Sequence, residues 1–109
     1  MSDFSEFAAL VIEGTAELAR DFLKQGFGEA KTDAQRFLAA SKADLEVWTG
    51  QLANGELADW EFASLVRGQA DLAELLALAH LGIAKARLEE FRVKFIDLVV
   101  GTAFKVFLP

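Results

Sequence analysis

Apolar side chains recur at helical spacing along almost the whole chain, and the only proline is the last residue, Pro109. Near the start, Phe4, Phe7, Val11 and Leu18 fall on one face of a helix. Proline inside a helix removes a hydrogen bond and clashes with the preceding turn, and none interrupts this chain. The sequence therefore predicts an all-α fold.

Glycine-containing stops divide the helical pattern into segments of similar length. Gly26-Phe27-Gly28 and Asn54-Gly55 are typical helix ends. We expect helices over about residues 3–24, 29–53, 57 to the region of Gly82, and 83–107. Helices of equal length with short connections favour an antiparallel bundle of about four helices, in one domain covering residues 1–109.

Gly82 leaves two interpretations open. It can end the third helix in the left-handed conformation, or it can lie inside one long helix over residues 58–107. The second arrangement gives three helices, one of them about 75 Å long. So long a helix exceeds what one small domain can cover, so that chain would have to dimerise.

The chain is unusually apolar, at 53% before its 8 glycines are counted. The last segment is apolar on more than one face, and a helix apolar all round must be surrounded. We therefore expect self-association, as a dimer, through this segment. The candidate interface residues are Phe91, Phe95, Ile96, Val100, Phe104, Phe107 and Leu108.

Two tryptophans flank the Asn54-Gly55 turn. Trp48 falls on the apolar seam of its helix, whereas Trp60 fits the apolar stripe of the next helix less well. Trp60 is therefore added to the candidate interface as an exposed anchor, because aromatic side chains dominate binding hot spots.

The residues that catalysis and metal binding require are scarce. The chain has no cysteine and one histidine, His80, so serine and cysteine triads and di-iron sites lack ligands or bases. The pairs Glu13/Glu17 and Glu89/Glu90 are typical of solvated helix surfaces. We expect a non-enzymatic protein without a metal or cofactor.

The net charge of the chain and its distribution restrict the classes of partner that it can bind. The net charge of −6 disfavours nucleic acid, which binds basic surfaces. Residues 1–62 carry 12 acidic against 5 basic side chains, and residues 63–109 carry 5 against 6. The acidic half leaves open docking onto a basic protein partner.

A basic cluster beside the C-terminal phenylalanines suggests an alternative, binding to a lipid surface. Lys85, Arg87, Arg92 and Lys94 form this cluster. Residues 95–108 are too short for a spanning helix, which needs about 20 residues. The acidic N-terminus and the lack of cysteine favour the cytoplasm.

Overall fold

The computed structural model describes residues 3–108, which form six α-helices and no strand. The helices are α1 (Asp3–Leu18), α2 (Phe27–Ala40), α3 (Lys42–Ala53), α4 (Asp59–Arg67), α5 (Leu76–Ala79) and α6 (Lys85–Phe107). A π-helical turn, Ala19–Leu23, extends α1, and a 3₁₀ turn, Ala70–Leu72, follows α4. The prediction of an all-α fold is confirmed.

The C-terminal helix α6 is the central element of the bundle. It packs against α1, α3 and α4, and the ring of Phe95 on α6 also meets Phe37 on α2. It runs antiparallel to α4, because Phe62 meets Phe104 whereas Arg67 meets Asp97. One continuous apolar core joins these helices. The radius of gyration is 13.5 Å, close to the value of about 13 Å expected for a compact chain of this length.

The second predicted helix is divided at Ser41. Its backbone φ of −103° and ψ of 5° depart from helical values, so α2 ends at Ala40 and α3 begins at Lys42. The N–H of Ser41 donates to the carbonyl of Phe37, and the N–H of Leu45 donates to the carbonyl of Ser41, both at 2.9 Å; these bonds end α2 and begin α3. The predicted second helix is therefore two helices that meet at Ser41.

The prediction of one continuous third helix is wrong. Helix α4 stops at Arg67, and the chain turns before the single-turn helix α5. The carboxylate of Asp33 on α2 accepts hydrogen bonds from the N–H groups of Ala77 at 2.9 Å and Leu78 at 3.0 Å. These groups at the start of α5 would otherwise lack partners, since the first N–H groups of a helix have none within it.

Gly82 ends this region and decides between the two interpretations left open by the sequence. Its φ is +75°, the left-handed conformation that favours glycine. Helix α6 begins three residues later, at Lys85. The alternative with one long helix over residues 58–107 is therefore wrong.

Gly50 lies inside α3, and a methyl group added there would meet no neighbouring atom within 4 Å. Glycine in a helix interior costs about 1 kcal/mol relative to alanine. We therefore expect Gly50→Ala to raise the free energy of unfolding by about 1 kcal/mol, measured by urea denaturation.

Gly26 supplies the contrasting variant. It has a φ of +75°, and an added Cβ would lie 2.7 Å from Cδ1 of Leu81 and 2.8 Å from Cδ2 of Leu78. Gly26→Ala should therefore destabilise the protein. Equal effects of the two substitutions would contradict the assigned backbone conformations.

Candidate interaction surface

Four of the predicted interface residues lie in the core of the single chain: Phe91, Phe95, Ile96 and Val100. Phe95 is 1% exposed, and its ring packs edge-on against Phe37 at 5.2 Å between centroids. Other helices of the same chain cover these four side chains of α6. The expected interface is therefore revised at these four positions.

The three predicted interface residues nearest the C-terminus are half-buried: Phe104, Phe107 and Leu108. Phe104 lies 6.0 Å from the ring of Phe62, and Phe107 lies 5.8 Å from the ring of Phe7. They close the end of the core and leave only part of their surface to solvent.

Trp60 is the most exposed large apolar side chain among residues 3–108, at 71%. It occupies the first turn of α4, whose buried side is formed by Phe62, Ala63 and Val66. The start of this helix is fixed by Glu61, whose carboxylate accepts a hydrogen bond from the N–H of Ala58 at 2.9 Å. Trp60 is thus presented to solvent by a helix that is anchored to the core.

A shallow pocket lies between α6 and the end of α4, with a volume of about 210 Å³. We call it the α6 pocket; it is lined by Arg67, Ala70, Arg92, Val93, Ile96 and Asp97. Val93 is 62% exposed, so the pocket presents apolar surface to solvent. The pocket was not predictable from the sequence, because its two walls are distant along the chain.

Ion pairs border the α6 pocket. The guanidinium of Arg67 lies 3.5 Å from the carboxylate of Asp97, and that of Arg92 lies 3.4 Å from Glu89. Both members of the Arg67–Asp97 pair are more than half exposed, and exposed pairs of this kind contribute about 0–1 kcal/mol. Arg67 is therefore loosely held and free to contact an additional group.

Trp60 and the α6 pocket lie on the same side of the molecule. Trp60 and Arg67 are seven residues apart on α4, which is nearly two helical turns, so they share a face about 10 Å apart. Together, Trp60, Arg67, Val93 and Asp97 with the lining of the α6 pocket form what we call the α4–α6 surface.

The basic cluster proposed for lipid contact is partly engaged within the chain. Arg87 donates a hydrogen bond to the carbonyl oxygen of Phe22 at 2.7 Å, and its guanidinium stacks over the ring of Phe22 at 4.3 Å. The ammonium of Lys94 lies over the same ring at 5.0 Å. These cations fasten α6 to the π-helical turn.

The residues considered for catalysis are spread over the surface. His80 is exposed at the end of α5, and Glu13 forms an exposed ion pair with Lys31 at 3.3 Å. Within residues 3–108, no three His, Cys, Asp or Glu side chains are grouped so that they could hold a metal ion.

Among residues 3–108, the most buried carboxylate is that of Asp33, which the sequence did not single out. It is 3% exposed and binds the backbone of α5. Its Oδ1 also lies 3.3 Å from the guanidinium of Arg36, a local pair that any surface aspartate can form. Nothing in the local sequence reveals its burial, because its two backbone partners lie 44 and 45 residues away. These hydrogen bonds join α2 to α5, so Asp33 stabilises the packing of the two helices.

No helix within residues 3–108 combines the length and the hydropathy needed to cross a bilayer. In the comparisons with known proteins, no family model, curated protein or solved structure matches this chain.

Proposed function

We propose that this chain is a non-enzymatic helical interaction protein that acts by self-association. The observation that carries the proposal is the exposed indole of Trp60 on the same face as the apolar α6 pocket. Apolar groups gathered on one surface mark protein contact sites, and Trp and Arg are the residues most enriched at binding hot spots.

The surface proposed for association is the α4–α6 surface rather than the apolar faces of α6. Phe91, Phe95, Ile96 and Val100 contribute to folding of the single chain. Phe104 and Leu108 are half-buried, so they can border the contact without forming its centre. Of the residues predicted from sequence, Trp60 keeps its proposed role.

Lipid binding has less support as a function. Insertion into a bilayer surface would require the apolar side chains of α6 to leave the core that they now fill. It would also compete with the stacking of Arg87 and Lys94 on Phe22. The net charge of −6 likewise disfavours anionic membranes and nucleic acid as partners.

We also propose that the protein is located in the cytoplasm. The chain has no cysteine, and cytosolic proteins rarely use disulfides for stability. Stability must then come from the continuous apolar core and from contacts such as that of Asp33 with α5.

Self-association is tested by solution mass. We expect the mass measured by size-exclusion chromatography with light scattering to rise from that of the 11.9 kDa chain towards twice that value as concentration increases. A mass that stays at that of a single chain up to millimolar concentration would overturn the proposal.

A further inference from the structure

Helix α4 has opposite charges at its two ends. Its first turn contains Asp59 and Glu61, and its last turn contains Arg67. Two copies of such a helix attract each other when they lie antiparallel, because each acidic end then faces the basic end of the other. Asp59 and Glu61 lie about 100° to either side of the face that carries Trp60 and Arg67. In an antiparallel pair, these acidic side chains therefore flank the contact near Arg67 of the other copy.

The α6 pocket has the size of a site for one side chain. Its volume of about 210 Å³ is below the range of about 300–1,000 Å³ typical of small-molecule sites. Ala70, Val93 and Ile96 give it apolar walls. An inserted aromatic ring would bury apolar surface against these side chains.

The charged groups of the α6 pocket favour an indole over an aliphatic side chain. The guanidinium groups of Arg67 and Arg92 can stack on its face, and tryptophan is the best partner for such cation–π contacts. The exposed carboxylate of Asp97 can accept a hydrogen bond from the indole N–H, which is a donor only.

The Trp60 of the same chain cannot occupy this pocket. Trp60 and Arg67 are both fixed on α4, about 10 Å apart along its axis. Trp60 can therefore reach a pocket of this kind only in another molecule. An antiparallel pair of α4 helices related by a twofold axis near Ser64 places Trp60 of each copy opposite Arg67 of the other.

Building on the proposed self-association, we propose that two copies of this chain pair through antiparallel α4 helices, with Trp60 of each inserted in the α6 pocket of the other. The contact is isologous, so one surface provides both the inserted side chain and the pocket. Ser64, exposed between Trp60 and Arg67, allows the two helices to approach closely.

The first test uses two variants and one matched control. Trp60→Ala removes the inserted ring, and Val93→Glu places a carboxylate in the pocket. Val47→Glu makes the same change at another exposed valine, on α3; Val47 is 56% exposed and Val93 is 62%. We expect the first two to weaken dimerisation about 30-fold or more, as at a hot spot, and the control to change it little. Sedimentation equilibrium measures all four proteins.

The second test reports on Trp60 directly. In a Trp48→Phe variant, Trp60 is the remaining tryptophan. Its emission should shift to shorter wavelength, and its quenching by acrylamide should fall, as concentration rises and the indole leaves water. Adding Val93→Glu to this variant should abolish both changes.

The outcomes separate the two proposals. A wild-type protein that remains monomeric at every concentration overturns both self-association and this interface. A wild-type dimer that is unchanged by Trp60→Ala and Val93→Glu, with a constant Trp60 emission, overturns this interface alone. Binding of a different protein at Trp60 by a monomeric wild type would likewise count against a second copy as the occupant.

Discussion

Replacing Phe95 with alanine should lower the free energy of unfolding by about 3–5 kcal/mol. Phe95 is 1% exposed, and its ring meets Phe37 edge-on at 5.2 Å. The substitution removes this contact and leaves a cavity in the core beside the middle of α6. Since small domains are stable by only about 5–15 kcal/mol, the variant should unfold at a much lower urea concentration.

The result distinguishes a core residue from an interface residue. If Phe95 mainly served an interface between copies, Phe95→Ala would change the dimerisation constant and leave the stability of the dilute monomer nearly unchanged. Val47→Ala is the matched control, because Val47 is exposed on α3 and lies outside the α4–α6 surface. It should alter stability by about 0.5 kcal/mol or less.

Replacing Asp33 with alanine should cost about 3 kcal/mol, because it leaves the N–H groups of Ala77 and Leu78 without their acceptor. Each lost partner of a buried polar group costs about 1–3 kcal/mol. Asp33→Asn keeps one side-chain acceptor oxygen, so its loss should be smaller. Urea denaturation gives the stabilities.

Amide hydrogen exchange identifies the site of the Asp33 effect. The amide protons of Ala77 and Leu78 should be protected in the wild type and exchange much faster in Asp33→Ala. Asp44→Ala, at an exposed aspartate in the first turn of α3, serves as the control and should cost less than about 1 kcal/mol. Unchanged protection at Ala77 and Leu78 would contradict the role assigned to Asp33.

The sequence predicted well those helices and turns that depend on the spacing of nearby residues. The apolar stripe of α1 and the long pattern of α6 each placed a helix to within a few residues, and Gly26 and Gly82 were identified as candidates for left-handed positions. These features depend on the period of the side chains and on the backbone freedom of glycine, both of which are visible in one chain.

The region between α4 and α6 was not predictable in the same way. Its apolar residues keep helical spacing, yet the chain leaves the helix after Arg67 and restarts at Leu76. The restart depends on Asp33, which is remote in sequence. A periodic pattern carries no information about such a partner.

The candidate site was predicted only in part, for a related reason. A helix that is apolar all round must be surrounded, but the sequence does not say whether by its own chain or by another copy. Phe91 and Phe95 are covered by the same chain, whereas Trp60 is not covered. The α6 pocket unites residues 67–70 with 92–97, a proximity that only the tertiary structure reveals.

The contact between Asp33 and α5 also has a consequence for the order of folding. It joins Asp33 to Ala77 and Leu78, which lie 44 and 45 positions later in the sequence. It can therefore form only after a long loop has closed. An isolated single turn of helix is unstable in water, so α5 has little tendency to form before α2 is in place. The segment around α5 should therefore become structured late, after the transition state, and Asp33→Ala should speed unfolding while leaving the folding rate nearly unchanged.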